Sequence, residues 1–312
     1  MNNKTTKAII GTAGKFNIKE IAFPLPKHNE ALIKVKAVSL NRGELRTAFN
    51  KKEEWVPGWD LAGVVEQSAE DGSGPNVGTR VVGFLPNSGG WAQYVTVPTN
   101  ALAALPDKVT DAQASTLPVA GLTALHTLAK GGQLLGKRVL IAGATGGVGM
   151  FALQLAELSG AHVTAEIRNV DDENFVKELG ANEVIIEKKT DTSSVTPFNL
   201  ILDSIGGVSL TNHLKLLTQG GTCVSFGNSS ESEETKFNVT TMYRSSARLY
   251  GFLLFNELKE EPASIGLARL ANLINIGKLK PVIELEVNWN DIQRVAEQLM
   301  QRKFKGKAVL HL

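Results

Sequence analysis

The residues of this chain best placed to do chemistry are Ala144-Thr145-Gly146-Gly147-Val148-Gly149, a G-x-G-x-x-G pattern with alanine at its first position. A buried-type strand over 137–143 precedes it, a helix over 148–158 follows, and a second strand over 162–167 begins within the length of one βαβ unit. In that setting Gly146 lets backbone approach a pyrophosphate and Gly149 lets helix and strand pack closely. The helix N-terminus offers free N–H groups and the positive end of its dipole. The pattern predicts a dinucleotide site, the alternative being a tight strand-to-helix turn with no ligand. A P-loop is excluded, because no Gly-Lys-Ser/Thr follows the glycines.

The second strand ends as Ala165-Glu166-Ile167-Arg168-Asn169. An acid at this place accepts hydrogen bonds from the adenosine ribose hydroxyls of NADH, whereas an arginine accommodates the 2′-phosphate of NADPH. Both signals are present. By counting, Glu166 lies near the usual spacing of about twenty residues from the glycines.

Other chemistries find little support. Cys223 is the single cysteine, so the chain has no internal disulfide and no thiolate cluster for zinc. No Ser/His/Asp or Cys/His arrangement carries a local signature, which argues against hydrolysis. His126, in an apolar helical stretch, reads as structural rather than as a proton donor. With 33 Lys+Arg against 31 Asp+Glu the net charge is +2, too balanced for nucleic acid or an anionic membrane as main partner. The opening MNNKTTKAII holds no signal-peptide core, and no run of about eighteen apolar residues occurs, so a cytoplasmic protein is expected.

The elements that must position the glycine turn fall into two classes. The first hundred or so residues are β-rich, with alternation over 31–38 and 91–97 and Gly/Pro punctuation, which predicts an irregular barrel or sandwich. Thr110 and Gln113 form a capping box for a helix that Pro118 interrupts and Gly131 closes. Strands and helices then alternate: a helix over 173–179 and strands over 184–186, 200–202 and 223–226 join those already named. This predicts an α/β fold with a doubly wound parallel sheet. Pro262 and Gly277 bracket an apolar helix, and Asn290 with Gln293 opens another with Ile292, Val295, Ala296, Leu299 and Met300 on one face. A closing strand follows over 308–310.

Several separate motifs occur in order over nearly the full length: Val38-Ser39-Leu40-Asn41-Arg42-Gly43-Glu44, Pro57-Gly58-Trp59-Asp60-Leu61-Ala62-Gly63-Val64-Val65, Val77-Gly78-Thr79-Arg80-Val81-Val82-Gly83 and Leu117-Pro118-Val119-Ala120-Gly121-Leu122-Thr123-Ala124-Leu125. With the glycine turn, they make the chain resemble the zinc-independent, zeta-crystallin-like quinone oxidoreductases of the medium-chain dehydrogenase/reductase superfamily. The resemblance implies a GroES-like barrel from 1–112 and 256–312, a Rossmann domain from 113–255 and an active site in the cleft. At the positions matching the zinc ligands of metal-dependent relatives stand Asn41, Trp59 and Ala120, which cannot replace two thiolates and a histidine, so no metal is expected.

The resemblance further implies that Thr123 and Asn41 lie near the nicotinamide, that Ile205 and Gly227 flank it, and that Lys307 reaches the cofactor phosphates. Thr123 bonded to its own helix backbone, Asn41 stabilising a turn, and Lys307 in a solvated basic edge with Arg302, Lys303 and Lys305 are the plainer readings. Trp59, Trp91 and Phe252 are candidates for lining a planar-substrate cleft, although large aromatics also serve as core. Matching Leu179-Gly180-Ala181 to the family puts Ile167 at the acidic position and leaves Arg168 facing a 2′-phosphate, so NADPH is preferred in this reading and NADH stays possible. Reduction of a quinone or other conjugated carbonyl compound is implied, with Asn41 and backbone N–H groups meeting the charge that grows on oxygen. A 2-enoyl thioester or alkenal reductase, and a cofactor- or RNA-binding protein without catalysis, are the alternatives. The apolar run 249–255 resembles a sheet-edge strand that pairs across a two-fold axis, so a homodimer is expected, internal core being the other reading.

Overall fold

The computed structural model describes residues 4–187, 195–232 and 234–312. Its two compact units are Met1–Leu122 with Leu258–Leu312, and Thr123–Glu257.

In the first unit β1 (Thr5–Thr12) and β2 (Lys15–Ala22) form an antiparallel hairpin. Its two turn residues, Ala13 and Gly14, have φ of 47° and 79°, the pair of positive values a two-residue hairpin turn needs to match strand twist. Next come β3 (Glu30–Ser39), α1 (Arg42–Asn50), β4 (Asp60–Gln67), β5 (Arg80–Phe84), β6 (Tyr94–Pro98), β7 (Leu102–Ala104) and α2 (Asp111–Ser115). The Thr110/Gln113 capping box forms as the sequence predicts, with Gln113 N donating to Thr110 Oγ1 at 3.1 Å and Thr110 N to Gln113 Oε1 at 3.0 Å. Pro118 then falls in a π-turn over Leu117–Gly121, not in an α-helix. α2 packs on β3, β4 and β5, and Ala112 joins Ala37 and Val309 in a buried cluster. That packing explains why the unit boundaries fall after Leu122 and Glu257 instead of after 112 and 255.

The second unit holds α3 (Leu122–Ala129, all but its first residue), β8 (Arg138–Ala142), α4 (Gly147–Leu158), β9 (His162–Ile167), α5 (Glu173–Glu178), β10 (Glu183–Ile186), β11 (Phe198–Asp203), α6 (Gly207–Lys215), β12 (Leu217–Ser225), α7 (Val239–Arg244), β13 (Arg248–Gly251) and α8 (Leu254–Glu257). Its strands make one six-stranded sheet in the order β10-β9-β8-β11-β12-β13, with every neighbouring pair parallel. This is the doubly wound order, with its reversal at β8. Leu140, Phe198, Ile201, Leu210 and Leu214 are among the buried residues of its core.

The chain closes on the first unit with α9 (Ala263–Asn275), β14 (Ile283–Asn288), α10 (Ile292–Met300) and β15 (Lys307–His311). β15 pairs antiparallel with the end of β3, extending the large sheet to the order β14-β15-β3-β4-β5-β7, while β6 pairs with the start of β3. Asn290 and Gln293 do not cap α10 as the sequence suggests. Asp291 is the N-cap, while the Gln293 amide is drawn to the hairpin turn, accepting from Phe16 N at 3.0 Å and donating to Gly14 O at 3.1 Å. Among the described residues no helix is long and apolar enough to cross a membrane.

Candidate functional site

The candidate cofactor- and substrate-binding residues of the second unit, Thr123 apart, gather at the C-terminal ends of its parallel strands. Gly143 to Gly149 follow β8, Arg168 follows β9, Ile205 follows β11, Gly227 follows β12 and Phe252 follows β13. This is the edge where open α/β sheets take their ligands. Gly143 turns the chain with φ of 71°. Gly149, inside α4, touches that turn: a Cβ there would stand 2.5 Å from Gly143 O and 2.7 Å from Ala144 Cα, so only glycine lets α4 begin so close to β8. Gly146 is the N-cap of α4 and exposed, Gly147 and Val148 are half-buried in its first turn, and Ala144 is buried. The first N–H groups of that turn have no partner within the helix. A pyrophosphate fits this arrangement of bare backbone, open helix end and close glycine packing.

Ser204 spans the reversal point, its Oγ donating to Ala142 O at 3.0 Å. Ile205 is buried, Gly227 is exposed, and Phe252 is 7% exposed with its N–H on Ser225 O. Thr123 is buried in α3, where its carbonyl accepts from Thr127 Oγ1 at 2.7 Å.

At the end of β9 the two residues that the sequence offers as ribose candidates behave differently. Arg168 is half exposed and pairs through Nε with Glu187 at 3.1 Å. Glu166 is buried, its carboxylate 3.0 Å from His213 Nε2, while His213 Nδ1 lies 2.6 Å from Asp203 Oδ2. Asp203 Oδ1 also accepts from Ile205 N and Gly206 N. A ring that bridges two ionised carboxylates carries both protons. Burial alone would lower the pKa of His213, but hydrogen bonds to Asp203 and then Glu166 raise it to about 9. Cys223 is buried in the same core, where burial and then the charge of Asp203 hold its thiol well above the ordinary range. That environment leaves it inert.

The first unit holds a second buried polar cluster, at the junction of β3, α1, β4 and β15. Lys307 Nζ donates to Leu40 O at 2.9 Å, to Asn41 Oδ1 at 2.6 Å and to Asp60 Oδ2 at 3.3 Å. Asp60 also accepts from Ser39 Oγ at 2.6 Å, Asn41 Nδ2 at 2.8 Å and Val119 N at 2.9 Å. Glu44 accepts from Asn41 N at 2.6 Å and Trp59 N at 3.1 Å. Burial, and then the charge of Asp60, push the Glu44 carboxyl up to about 8 against the opposing pull of Lys307.

Two expectations change here. Lys307 is not placed for a cofactor phosphate: its side chain is 3% exposed, and its three N–H donors are taken inside the barrel. Trp91 does not line a cleft. It is fully buried, its ring 6.0 Å from that of Phe16, against Gly58, where a Cβ would stand 2.4 Å from the indole. Trp59 is half-buried, its ring against Gly43, and Asn41 is half-buried at the N-cap of α1.

The zinc-ligand positions do not fit a metal. Asn41 already receives an ammonium, Trp59 and Ala120 offer no donor, and among the described residues no group of three or more His, Cys, Asp or Glu is disposed to hold a metal ion.

Glu44, Asp60, Asp203 and His213 were not singled out by sequence reasoning. A charge inside an apolar run, as in Trp59-Asp60-Leu61-Ala62, is the signal that points to Asp60. Nothing local distinguishes His213.

Both raised groups hold their protons more tightly folded than unfolded. The stabilisation from His213 is complete below its ordinary value of 6.5 and is lost as pH rises through about 9. That from Glu44 is complete below 4.5 and is lost as pH rises through about 8. Thermal unfolding followed by circular dichroism is expected to give a Tm that falls steadily from near neutral pH to pH about 9. A flat profile over that window would contradict both protonation states.

Residues 147–269 match the family profile described as zinc-binding dehydrogenase, and residues 27–107 that described as alcohol dehydrogenase GroES-like domain. A chloroplastic quinone-oxidoreductase homolog from Spinacia oleracea is 32% identical over 313 residues, covering 93% of this chain and 92% of its own. The solved quinone oxidoreductase from Coxiella burnetii is 26% identical with a TM-score of 0.85, covering 99% of this chain and 100% of that one. A mycobacterial protein solved in complex with NADPH is 25% identical with a TM-score of 0.86, covering 98% of this chain and 100% of that one. A GroES-like unit, a doubly wound parallel sheet with its glycine turn, and relatives matched over nearly the whole length place the chain in the quinone oxidoreductase family of medium-chain dehydrogenases/reductases.

Proposed function

We propose that this oxidoreductase uses NADPH to reduce quinones or other conjugated carbonyl compounds, and does so without zinc. The observation that carries the reading is the C-terminal edge of the second unit's sheet, where the Gly143–Gly149 turn, the open end of α4 and the exposed Arg168 lie together while the competing Glu166 is buried. When bound, the reduced nicotinamide supplies the hydride. The N-terminal turn of α4 holds the pyrophosphate, and Arg168 exchanges its ion pair with Glu187 for the 2′-phosphate.

Asn41 is the candidate donor to the substrate oxygen. One Nδ2 hydrogen is committed to Asp60 at 2.8 Å, but the other makes only a 3.3 Å contact with Glu44, which an arriving carbonyl oxygen displaces at small cost. Zinc independence is supported by the donor set itself, in which Asn41 already accepts from the Lys307 ammonium and Trp59 and Ala120 carry no metal-binding atom.

A panel of quinones, enones, alkenals and 2-enoyl thioesters, assayed by nicotinamide absorbance with and without a chelator, tests the activity. Turnover of quinones or enones unaffected by chelator is expected. No turnover across the panel, or its loss with chelator, would overturn the reading, and a preference for thioesters would move the substrate class. In the same assay Arg168→Ala is expected to lower kcat/KM for NADPH about tenfold or more while leaving NADH nearly unchanged. Equal loss with both cofactors would remove Arg168 from 2′-phosphate recognition.

We also propose that a second copy of the chain covers β13. This strand ends the sheet, no described strand pairs with its outer edge, and Leu249, Tyr250 and Leu253 are 38%, 37% and 52% exposed. An apolar edge of that kind requires a cover. Light scattering at micromolar concentration is expected to give twice the chain mass, and a monomer would contradict it.

A further inference from the structure

Resting on the reading of the sheet edge as an NADPH site, we propose that His213 sets the coenzyme preference by holding the Glu166 carboxylate inside the second unit, away from the adenosine ribose. Glu166 sits where a Rossmann sheet keeps the acid that takes the ribose hydroxyls of an unphosphorylated dinucleotide. It pairs in register with Ala142 at the end of β8, and its carbonyl accepts from Ala144 N in the glycine turn at 3.2 Å. Its backbone therefore borders the cofactor edge. Its carboxylate does not: that side chain is 9% exposed and bonded to His213 at 3.0 Å.

His213 is in turn fixed from behind. Asp203 holds Nδ1 at 2.6 Å and is itself anchored by the backbone N–H groups of Ile205 and Gly206. The ring thus spans from the end of β11 to the end of β9, crossing β8, which lies between them in the sheet. Two residues beyond Glu166, Arg168 remains on the surface, its guanidinium paired with Glu187. With one acid withdrawn, a cation is the feature of β9 left to meet the ribose, and a 2′-phosphate is favoured there over a free hydroxyl.

Removing the imidazolium reverses this. Glu166 and Asp203 would then be buried carboxylates without their shared counter-ion, an arrangement that cannot persist with both ionised. Asp203 keeps two backbone donors, so Glu166 is the one to turn outward. There it accepts from ribose hydroxyls and repels a 2′-phosphate.

The test uses the full-length protein with four variants: His213→Leu, His213→Gln, Glu166→Gln and the double variant His213→Leu/Glu166→Gln. Dissociation constants for NADPH and NADH, and for adenosine 2′,5′-bisphosphate against adenosine 5′-monophosphate, are measured by calorimetry, beside kcat/KM for both cofactors. The wild-type protein is expected to prefer the 2′-phosphorylated member of each pair, and His213→Leu to lose about tenfold or more of that preference. Glu166→Gln should leave the preference within about twofold, because the charge it removes does not face the ligand. The double variant should regain the wild-type preference, an outcome that a general loss of packing would not produce. Should His213→Leu fail to fold, His213→Gln carries the same expectation with a smaller shift. A wild-type protein without 2′-phosphate preference would overturn both the NADPH reading and this inference. A wild-type preference that His213 variants leave unchanged, or that Glu166→Gln does not restore in the double variant, would overturn this inference alone.

Discussion

A Lys307→Met variant is expected to lose about 3–5 kcal/mol of stability, the usual cost of removing one partner from a buried ion pair. Lys307 and Asp60 are 3% and 0% exposed, so solvent does not screen the change. Without the ammonium, Asp60 keeps Ser39, Asn41 and Val119 as donors but has no counter-ion. The freed Asn41 oxygen also loses its 2.6 Å contact. The amide is then held only through its nitrogen, by Asp60 at 2.8 Å and Glu44 at 3.3 Å, so turnover should fall with stability. Lys307→Met combined with Asp60→Asn should recover a large part of the loss, because no unpaired charge remains. Calorimetry on the wild-type protein and these variants measures it. A phosphate-binding lysine would behave oppositely, weakening NADPH affinity with little change in Tm, and that outcome would return Lys307 to the cofactor.

Gly149→Val is expected to abolish dinucleotide binding while leaving the first unit folded. Even one added carbon would stand 2.5 Å from Gly143 O and 2.7 Å from Ala144 O, both of them backbone that cannot rotate aside. α4 must retreat from β8, and the helix end moves away from where it meets the pyrophosphate. A displacement of about an ångström in such a positioning contact costs on the order of a hundredfold. Gly146→Ala is the informative companion: its Cβ meets only Gly143 O, at 3.3 Å, so packing survives, and any loss of affinity reports ligand approach directly. NADPH titration by fluorescence, with Tm measured on the same samples, separates the two effects. Undiminished affinity in Gly149→Val would remove this turn from the cofactor site.

The sequence by itself determined the alternation that builds the parallel sheet, the glycine turn between β8 and α4, the Thr110 cap and the two-unit plan. These depend on residue period, on positive φ and on hydrogen bonds between neighbours three residues apart, all properties that a short segment carries with it. It also left Glu166 and Arg168 in open competition, since a strand end does not announce which face each side chain will take. Which face Glu166 takes is set by the tertiary structure, which brings His213 across from α6 to bond it forty-seven positions away. It likewise turned Lys307 inward to Asn41 and Asp60, 266 and 247 positions distant, and buried Trp91 against Phe16 and Gly58. A buried charge must find a counter-charge wherever the chain happens to pass. That partner is chosen by three-dimensional packing, which no local window of sequence contains.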